Sequence, residues 1–329
     1  MTTLKELATI LNVSVSTVSK ALNDSPEIGE DTKRRVKQLA AELDYQPNRL
    51  AQQLKSNATK TIGVIIPTII NPFFAEVLHG IENYADSHQY DIITTISNES
   101  FDKEQRAIKM LARGSVDGFI VAAARETQME QKIAHLQSIL NNQIPLVMFD
   151  RVVDQINCAK VVVDDYESVY NATQNLIEKG RQHFVLFSNI ADLSVGKLRS
   201  QGFQDALKDA GLTFDVVDLK AIDNLNGKIL DYLKTHSNTD AIVSIDHLTG
   251  IVALNMAESL GKSIPTDIDI VGFGYTETPL LVNNKIAIIQ QKGEAIGFKT
   301  TELLLEKIKH KEVSGGDTIV IPNGFNPVY

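Results

Sequence analysis

The sequence has very little cysteine and no long apolar segment. Cys158 is the only cysteine, which excludes an internal disulfide framework and most cysteine metal sites. No run approaches the roughly 18 apolar residues of a membrane-spanning helix, and the first residues lack the basic stretch and apolar stretch of a secretory signal. We therefore expect a cytoplasmic protein that does not contact a membrane.

The sequence also lacks the common catalytic motifs. It contains no G-x-S-x-G, no H-E-x-x-H and no G-x-G-x-x-G, and its seven histidines are scattered. The triplet "GKS" at 261–263 resembles the end of a phosphate-binding loop, but Met256 stands where that loop requires glycine. The sequence predicts no enzyme, no metal site and no cofactor.

Charge is distributed unevenly along the 329 residues. Residues 1–60 carry nine Lys or Arg and seven Asp or Glu, a net charge of +2, whereas the remainder has a net charge of −11. The length predicts two or three domains. Only the first of them can readily approach a polyanion.

Residues 3–23 predict two short helices joined by a three-residue turn. Thr3 and Glu6 have the spacing of a capping box. Apolar residues then recur at helical spacing, namely Leu4, Leu7, Ala8 and Leu11. Asn12-Val13-Ser14 breaks this helix, and Ser14 is placed to cap a second one. The inward face of the second helix consists of Val18, Ala21 and Leu22.

A third amphipathic helix is predicted from about Thr32 to Leu43. Its inward residues are Val36, Leu39, Ala40 and Leu43, and its mostly outward basic residues are Lys33, Arg34, Arg35 and Lys37. Three such helices form a helix-turn-helix unit, whose second helix would enter a DNA major groove.

The exposed face of the second helix has the chemistry for reading bases. Ser16 and Thr17 can exchange hydrogen bonds with base edges, Lys20 can donate to guanine, and Val15 can pack on a thymine methyl group. The alternative is a helical hairpin whose polar face is only solvated.

The segment 45–60, "YQPNRLAQQLKSNATK", predicts a short helix after Pro47, with Asn48 as its cap. Such a helix is shorter than the roughly 12–15 residues that are stable alone in water, so it needs a partner. Its apolar side consists of Leu50, Ala51 and Leu54. This side can pair with a second copy and insert a leucine between base steps of the minor groove. The alternative is an ordinary spacer.

From Thr61 onward, short apolar runs alternate with segments of helix length. The runs are "TIGVIIPTI", "DIITTIS", "GFIVAAA", "IPLVMFD", "KVVVDD", "FVLFSN", "AIVSID" and "DIDIVGF". Runs that are apolar on both faces predict parallel strands covered by helices. We therefore predict an α/β region of two lobes of about equal size.

Ligands of such sheets bind beyond the carboxyl ends of the strands, which two lobes can turn toward each other across a cleft. The residues that follow the runs are Asn71-Pro72-Phe73-Phe74, Ser97-Asn98, Asp150-Arg151 and Asp246. Charged side chains beside aromatic rings suit the hydroxyls and the apolar face of a sugar.

The sequence resembles the lactose-repressor/galactose-repressor (LacI/GalR) family over nearly its whole length. The most specific matches are "LKELATILNVSVSTVSKALN", "TKRRVKQLAAELDYQPNRLAQQL" and "TIGVIIPTIINPFFAEVLHGIE". The resemblance implies a helix-turn-helix headpiece, a hinge helix, and a regulatory region with the fold of periplasmic sugar-binding proteins.

The resemblance also implies roles for individual residues. The DNA-binding residues that it and the patterns above indicate are Ser14, Val15, Ser16, Thr17, Lys20, Asn48, Ala51 and Leu54, the last being the leucine inserted into the minor groove. The effector-binding residues are Phe73, Phe74, Asn98, Asp150, Arg199, Asp246, Tyr275 and Gln291. Arg199 begins the family pattern R-x-x-G-aromatic, and Asp246 matches the effector-binding aspartate.

For several of these residues a purely structural role is the alternative. Phe73 or Phe74 can belong to the hydrophobic core, Asp246 can be a helix N-cap, and Arg199 can be a surface residue. Asp150 can serve only to hold the hinge between the lobes.

Two departures from the family pattern bear on the effector. The chain reads "GFGY" at 272–275 where the family commonly has G-F-D-D, and Gln291-Lys292 where it commonly has Q-P. The identity of the effector therefore cannot be copied from a relative.

The predicted organisation has three parts. A headpiece spans 1–46, a hinge 47–60 and an effector domain 61–329, with one lobe at about 61–160 and 292–318 and the other at about 161–291 and 319–329. We expect a homodimeric repressor that binds a double-stranded DNA palindrome and responds to a small molecule, which we predict to be a sugar. The alternatives are a purine, a phosphosugar or a protein as effector, or a solute-binding protein that does not bind DNA.

Overall fold

The computed structural model describes residues 2–45, 58–219, 224–275 and 285–327. The chain divides into two units, Met1–Thr59 and Lys60–Tyr329. The predicted hinge contacts Asn48, Ala51 and Leu54 lie outside the described residues.

The first unit contains three helices, α1 (Leu4–Leu11), α2 (Val15–Leu22) and α3 (Glu30–Glu42). The capping box predicted at the start of α1 is confirmed. The Thr3 hydroxyl accepts a hydrogen bond from the Glu6 amide at 3.3 Å, and the Thr3 amide donates to the Glu6 carboxylate at 2.7 Å. Ser14 caps α2 by accepting from the amide of Thr17 at 3.0 Å. Both helices therefore begin directly after a residue whose side chain caps them.

The three helices bury a small apolar core made of Leu7, Ala8, Val18, Ala21, Val36 and Ala40. Helix α3 departs from the prediction at both ends. It begins at Glu30, because two acidic residues in its first turn favour the positive end of the helix dipole. Leu43 is 38% exposed, because the helix ends before it and its side chain leaves the inward face. Lys33 is buried rather than outward, and its ammonium reaches Glu30 at 2.7 Å.

The second unit consists of two α/β lobes, as the sequence predicts. The sheet of the first lobe has the strand order β11-β5-β4-β3-β1-β2, and all its pairings are parallel. Its strands are β1 (Thr61–Ile66), β2 (Asp91–Ile96), β3 (Gly118–Val121), β4 (Leu146–Phe149), β5 (Cys158–Val163) and β11 (Gly315–Ile321). Its helices are α4 (Pro72–Ser87), α5 (Phe101–Leu111), α6 (Arg125–Glu130), α7 (Ala134–Asn141) and α12 (Gly293–His310).

The sheet of the second lobe has the order β12-β10-β9-β8-β6-β7, in which only the β10–β12 pairing is antiparallel among the described strands. Its strands are β6 (Phe184–Ser188), β7 (Phe214–Asp218), β8 (Ala241–Ser244), β9 (Asp269–Gly274), β10 (Ala287–Gln290) and β12 (Gly324–Asn326). Its helices are α8 (Asp165–Glu178), α9 (Ser194–Asp209), α10 (Leu225–Thr235) and α11 (His247–Ser259).

The chain passes between the lobes after β5, after β10 and after β11. The lobe limits expected at about 160 and 318 lie within β5 and β11, whereas the chain changes lobe only after each of these strands ends. The third crossover lies between the end of β10 at Gln290 and the start of α12 at Gly293.

Strand β2 corrects one expectation about burial. It was expected to be apolar and covered on both faces, but its residues are exposed or half-buried, and Ile93 is 38% exposed. The reason is its position at the edge of the sheet, where only β1 pairs with it. Within the described ranges, no helix is long and apolar enough to cross a membrane.

Candidate functional site

The second helix of the first unit presents its predicted base-reading residues to the outside. Ser14, Ser16 and Lys20 are exposed, Val15 is 43% exposed, and Thr17 is half-buried. The hydroxyl of Ser14 lies 2.7 Å from that of Ser16 and 2.8 Å from that of Thr17. These hydroxyls form one polar strip at the start of α2, and Lys20 follows it in the last turn.

A cavity of about 390 Å³ lies between the two lobes of the second unit. The first lobe contributes Thr68, Ile70, Asn71, Pro72, Phe73, Phe74, Glu99, Arg125, Asp150 and Arg151. The second lobe contributes Asn189, Ile190, Leu193, Val195, Arg199, Asp246, His247 and Leu248, and Gln291 lies at a crossover. We call this space the cleft cavity.

The ends of parallel strands place the polar side chains of the cleft cavity. Asp150 directly follows β4, Asn189 directly follows β6, and Asp246 comes two residues after β8. These are carboxyl ends of strands in two sheets, so the cavity lies where ligands of open α/β sheets bind. Its volume falls within the range of small-molecule sites.

Asp246 is both a helix cap and part of the cavity wall. One carboxylate oxygen accepts from the amide of Thr249 at 2.9 Å. The other oxygen accepts from the Thr249 hydroxyl at 2.8 Å and from the amide of Asn189 at 3.1 Å. Burial raises the pKa of Asp246 even though these hydrogen bonds favour its charged form. The N-cap role is therefore present, and it leaves the carboxylate facing the cavity.

Arg199 is buried on helix α9 and is not a surface residue. Its Nε donates to Asp165 at 2.6 Å, and its Nη1 donates to the carbonyl of Ile245 at 2.8 Å. Its guanidinium carbon lies 3.7 Å from the ring centroid of Phe273. Among the described residues, Nη2 has no hydrogen-bond partner, so one donor remains for a ligand.

Asp150 has a carboxylate that accepts no hydrogen bond from the described residues. It lies in the left-handed backbone region, with φ of 53°, and is 7% exposed. Burial raises its pKa, and the nearby Arg151 and Arg199 oppose this shift. Arg151 already has partners of its own: it donates to Glu99 at 2.5 Å, and its guanidinium lies over the ring of Phe74.

The aromatic wall of the cavity is also part of the hydrophobic core. Phe73 and Phe74 are 4% and 1% exposed, and their rings meet edge to face with centroids 5.1 Å apart. Asn71 positions them by capping α4, because its side chain accepts from the amide of Phe73 at 3.1 Å. Phe73 and Phe74 therefore belong to the hydrophobic core and line the cavity at the same time.

Two predicted effector contacts do not line the cleft cavity. Asn98 is exposed in a left-handed turn after β2 and does not line the cavity, whereas the next residue, Glu99, does. Tyr275 is half-buried and packs on His247, with ring centroids 5.3 Å apart, and His247 lines the cavity. Burial lowers the pKa of His247.

Several lining residues were missed by sequence reasoning. Asn189 follows the run "FVLFS", so the rule that selected Asp150 also selects it. Glu99 lies in a turn after β2 and Arg125 begins α6; their positions beside the cavity depend on tertiary packing, and the sequence carries no local signal for them.

Hydrogen bonds join the lobes beside the cavity. Arg125 of α6 donates to both carboxylate oxygens of Asp192 at 2.9 and 3.2 Å and to the carbonyl of Asn189 at 3.0 Å. Gln128 donates to the hydroxyl of Ser194 at 2.9 Å and accepts from its amide at 3.2 Å. We call this set the interlobe bridge. It ties the start of α9, the helix that carries Arg199, to the opposite lobe.

Every arginine of the cavity has a carboxylate partner. Arg125 pairs with Asp192, Arg151 with Glu99, and Arg199 with Asp165. Two polar groups of the cavity that have no hydrogen-bond partner among the described residues lie in opposite lobes: the Asp150 carboxylate is an acceptor and the Nη2 of Arg199 is a donor. Among the described residues, no three His, Cys, Asp or Glu side chains are grouped to hold a metal ion.

Comparisons with known proteins match both units. The profile of bacterial regulatory proteins of the lacI family matches residues 3–48, and the profile of periplasmic binding proteins and the sugar-binding domain of the LacI family matches residues 59–327. The HTH-type transcriptional repressor PurR of Aliivibrio fischeri is 31% identical over 319 residues, which cover 95% of this chain and 93% of that protein.

Solved structures share the fold. The lac repressor dimer bound to operator and the anti-inducer ONPF has a TM-score of 0.86 at 21% identity, covering 98% of this chain and 97% of that one. A LacI family transcriptional regulator from Enterococcus faecium with bound ribose has a TM-score of 0.71 at 22% identity, covering 82% and 97%.

Proposed function

The chain belongs to the LacI family of bacterial regulatory proteins, and from this premise we propose that it represses transcription by binding a near-palindromic operator as a homodimer, under the control of a neutral sugar. Its architecture is that of a ligand-responsive repressor, with a helix-turn-helix unit and a two-lobed α/β unit. The proposal gives the chain no catalytic step and places it in the cytoplasm, where its operator is.

The first unit supports the DNA-binding part of the proposal. The exposed strip on α2 offers hydroxyl groups, a valine and a lysine, the groups that read base edges in a major groove. Two identical units bind two half-sites because a two-fold protein matches a two-fold operator. The relative named PurR is called a transcriptional repressor, which favours repression as the outcome.

The observation that carries the effector proposal is the placement of an acceptor and a donor in opposite lobes, each without a hydrogen-bond partner among the described residues. The Asp150 carboxylate lies in the first lobe and the Arg199 Nη2 donor in the second. A ligand that donates to one and accepts from the other holds the lobes together. A hydroxyl group can donate and accept, so a polyol fits this pair.

The charges favour a neutral effector over a phosphosugar. Each arginine that lines the cavity is already paired with a carboxylate. Among the described residues, a phosphate would therefore meet only arginines whose charge a carboxylate already balances, and it would face the Asp150 carboxylate. The apolar side chains of Phe73 and Leu193 suit a sugar ring face. The regulator from E. faecium that contains ribose favours the same class.

The test is selection of random DNA duplexes by the full-length protein, repeated with neutral mono- and disaccharides, sugar phosphates and nucleobases. We expect a palindromic site whose affinity changes with one neutral sugar. The coupling would be about 5- to 150-fold, the range typical of allosteric proteins.

Three results would contradict parts of the proposal. A site that responds only to a sugar phosphate or to a nucleobase would overturn the neutral-sugar assignment. Binding as a monomer to a single half-site would overturn the homodimer. Failure to select any sequence would overturn the DNA-binding function.

A further inference from the structure

Lys20, the predicted base-reading cation, is already engaged by an acidic residue. Its ammonium forms an ion pair with the carboxylate of Glu27, which lies in the turn between α2 and α3. Both side chains are accessible, at 47% and 66% exposure. The pair therefore presents a cation and a carboxylate side by side on the exposed side of α2.

We propose that Glu27 is a specificity-determining residue, and that Lys20 and Glu27 together read one G·C base pair in each half-site. The inference rests on the proposed DNA-binding function. It adds a residue outside the recognition helix, which the sequence analysis did not select.

The chemistry of the major groove supports this assignment. Guanine presents two acceptors, O6 and N7, and cytosine presents the N4 amino donor. The ammonium of Lys20 complements guanine, and the carboxylate of Glu27 can accept from cytosine. A carboxylate at this position also repels acceptors, such as the O4 of thymine, and so penalises wrong base pairs.

The pair can rearrange on DNA because exposed ion pairs contribute little to stability. The negative charge of Glu27 also lowers the affinity for DNA of any sequence, because it lies close to a surface that meets phosphates. Removing the charge should therefore raise affinity for every duplex and lower discrimination at one base pair. If Glu27 only tethered the turn, its substitution would not raise the affinity for DNA while lowering the discrimination at one base pair.

The same unit provides a matched control. Lys37 and Asp24 form another exposed ion pair, at 49% and 64% exposure, and neither is predicted to touch a base. The substitution Asp24→Asn removes one negative charge from the same turn region, as Glu27→Gln does. The comparison separates the loss of charge from the loss of base reading.

The experiment uses full-length wild type, Glu27→Gln, Asp24→Asn, Glu27→Asp and Lys20→Ala, each with thermal unfolding to check folding. Affinities are measured for the selected palindrome, for its single base-pair variants and for unrelated DNA. We expect Glu27→Gln to reduce the preference for G·C at one position about tenfold while binding unrelated DNA more tightly. Asp24→Asn should keep the full preference, and Glu27→Asp should keep much of it.

The double variant Lys20→Ala/Glu27→Gln decides whether the two residues act together. It should lose no more preference at that position than Lys20→Ala alone, because without the ammonium of Lys20 the carboxylate of Glu27 is no longer held beside that base pair. Unchanged base preference in a folded Glu27→Gln, or an equal loss in Asp24→Asn, would overturn the inference. Absence of any sequence preference in the wild type would instead overturn the proposed DNA-binding function.

Discussion

Arg199 donates to Asp165 at 2.6 Å inside the second lobe, and neither residue is more than 3% exposed. The pair holds the guanidinium so that Nη1 reaches a backbone carbonyl and Nη2 stays unsatisfied. Asp165 thus holds Arg199 in place without lining the cavity itself. Burial raises the pKa of Asp165 to about 6, although Arg199 opposes the shift.

Substitution of Asp165 by asparagine should change the pH dependence of stability. Between about pH 4 and 6 the folded protein keeps a proton on Asp165 that the unfolded chain has released, since the ordinary pKa is 3.8. The contribution of this group to the free energy of unfolding therefore falls as pH rises through that window. Asparagine has no such dependence. The advantage of wild type over Asp165→Asn should decrease by roughly 1 to 3 kcal/mol from pH 4 to pH 6.

Urea unfolding of both proteins at several pH values measures this difference. A gap between the two proteins that stays constant across the window would show that the pKa of Asp165 is not raised.

Asp246 can be tested for its two roles separately, because asparagine is as good an N-cap as aspartate. Asp246→Ala should lower the free energy of unfolding by about 1 to 2 kcal/mol, since the amides of Thr249 and Asn189 lose their acceptor. Asp246→Asn keeps an oxygen for the amide of Thr249 but leaves the amide of Asn189 without an acceptor, so it should lose less stability than Asp246→Ala. It should also lose the sugar response of operator binding. Thermal unfolding and operator titrations with and without sugar measure the two effects. A full sugar response in Asp246→Asn would show that Asp246 serves only as a helix cap.

The sequence predicted those parts of the fold and site that depend on local patterns. Capping residues and buried strands have signals within a few residues, so Thr3, Ser14 and the runs that end before Asp150 and Asp246 could be recognised. Arg199 was recognised through the family pattern, and the structure adds the partners that orient it.

The remaining features depend on tertiary contacts. Whether Asn98 or its neighbour Glu99 faces the cavity depends on the left-handed turn after β2, and the pairing of Glu27 with Lys20 depends on how the turn after α2 folds back. Strand β7 has two acidic residues among its five and little burial, so its apolar pattern is weak. No local pattern brings Gln128 to Ser194, because their lobes meet only in the folded chain.

Leu54→Ala tests the predicted insertion of the hinge leucine into the minor groove. The residue lies outside the described part of the structure, so the prediction rests on the sequence. Loss of the wedge should weaken operator binding strongly and unrelated DNA little, because insertion occurs only when both half-sites are bound. Titrations of operator and unrelated duplex at one salt concentration measure both affinities. Equal losses on the two duplexes would contradict the wedge.

The interlobe bridge should control how long the effector stays bound. Asp192 pairs with Arg125 across the lobes and does not line the cleft cavity, so it can be changed without removing a ligand contact. Asp192→Asn leaves the positive charge of Arg125 without its partner and weakens the closed arrangement. Sugar affinity should fall roughly tenfold, mainly through faster dissociation.

A matched control comes from an ion pair within the first lobe. Lys132 and Glu130 pair near the end of α6 without crossing to the second lobe, and both are about half exposed. Glu130→Gln should leave sugar affinity unchanged. The double variant Asp192→Asn/Gln128→Ala should lose less than the sum of the single losses, because either change alone opens the same bridge. If Asp192→Asn and Glu130→Gln bound sugar with the same dissociation rate as wild type, the bridge would have no part in holding the effector.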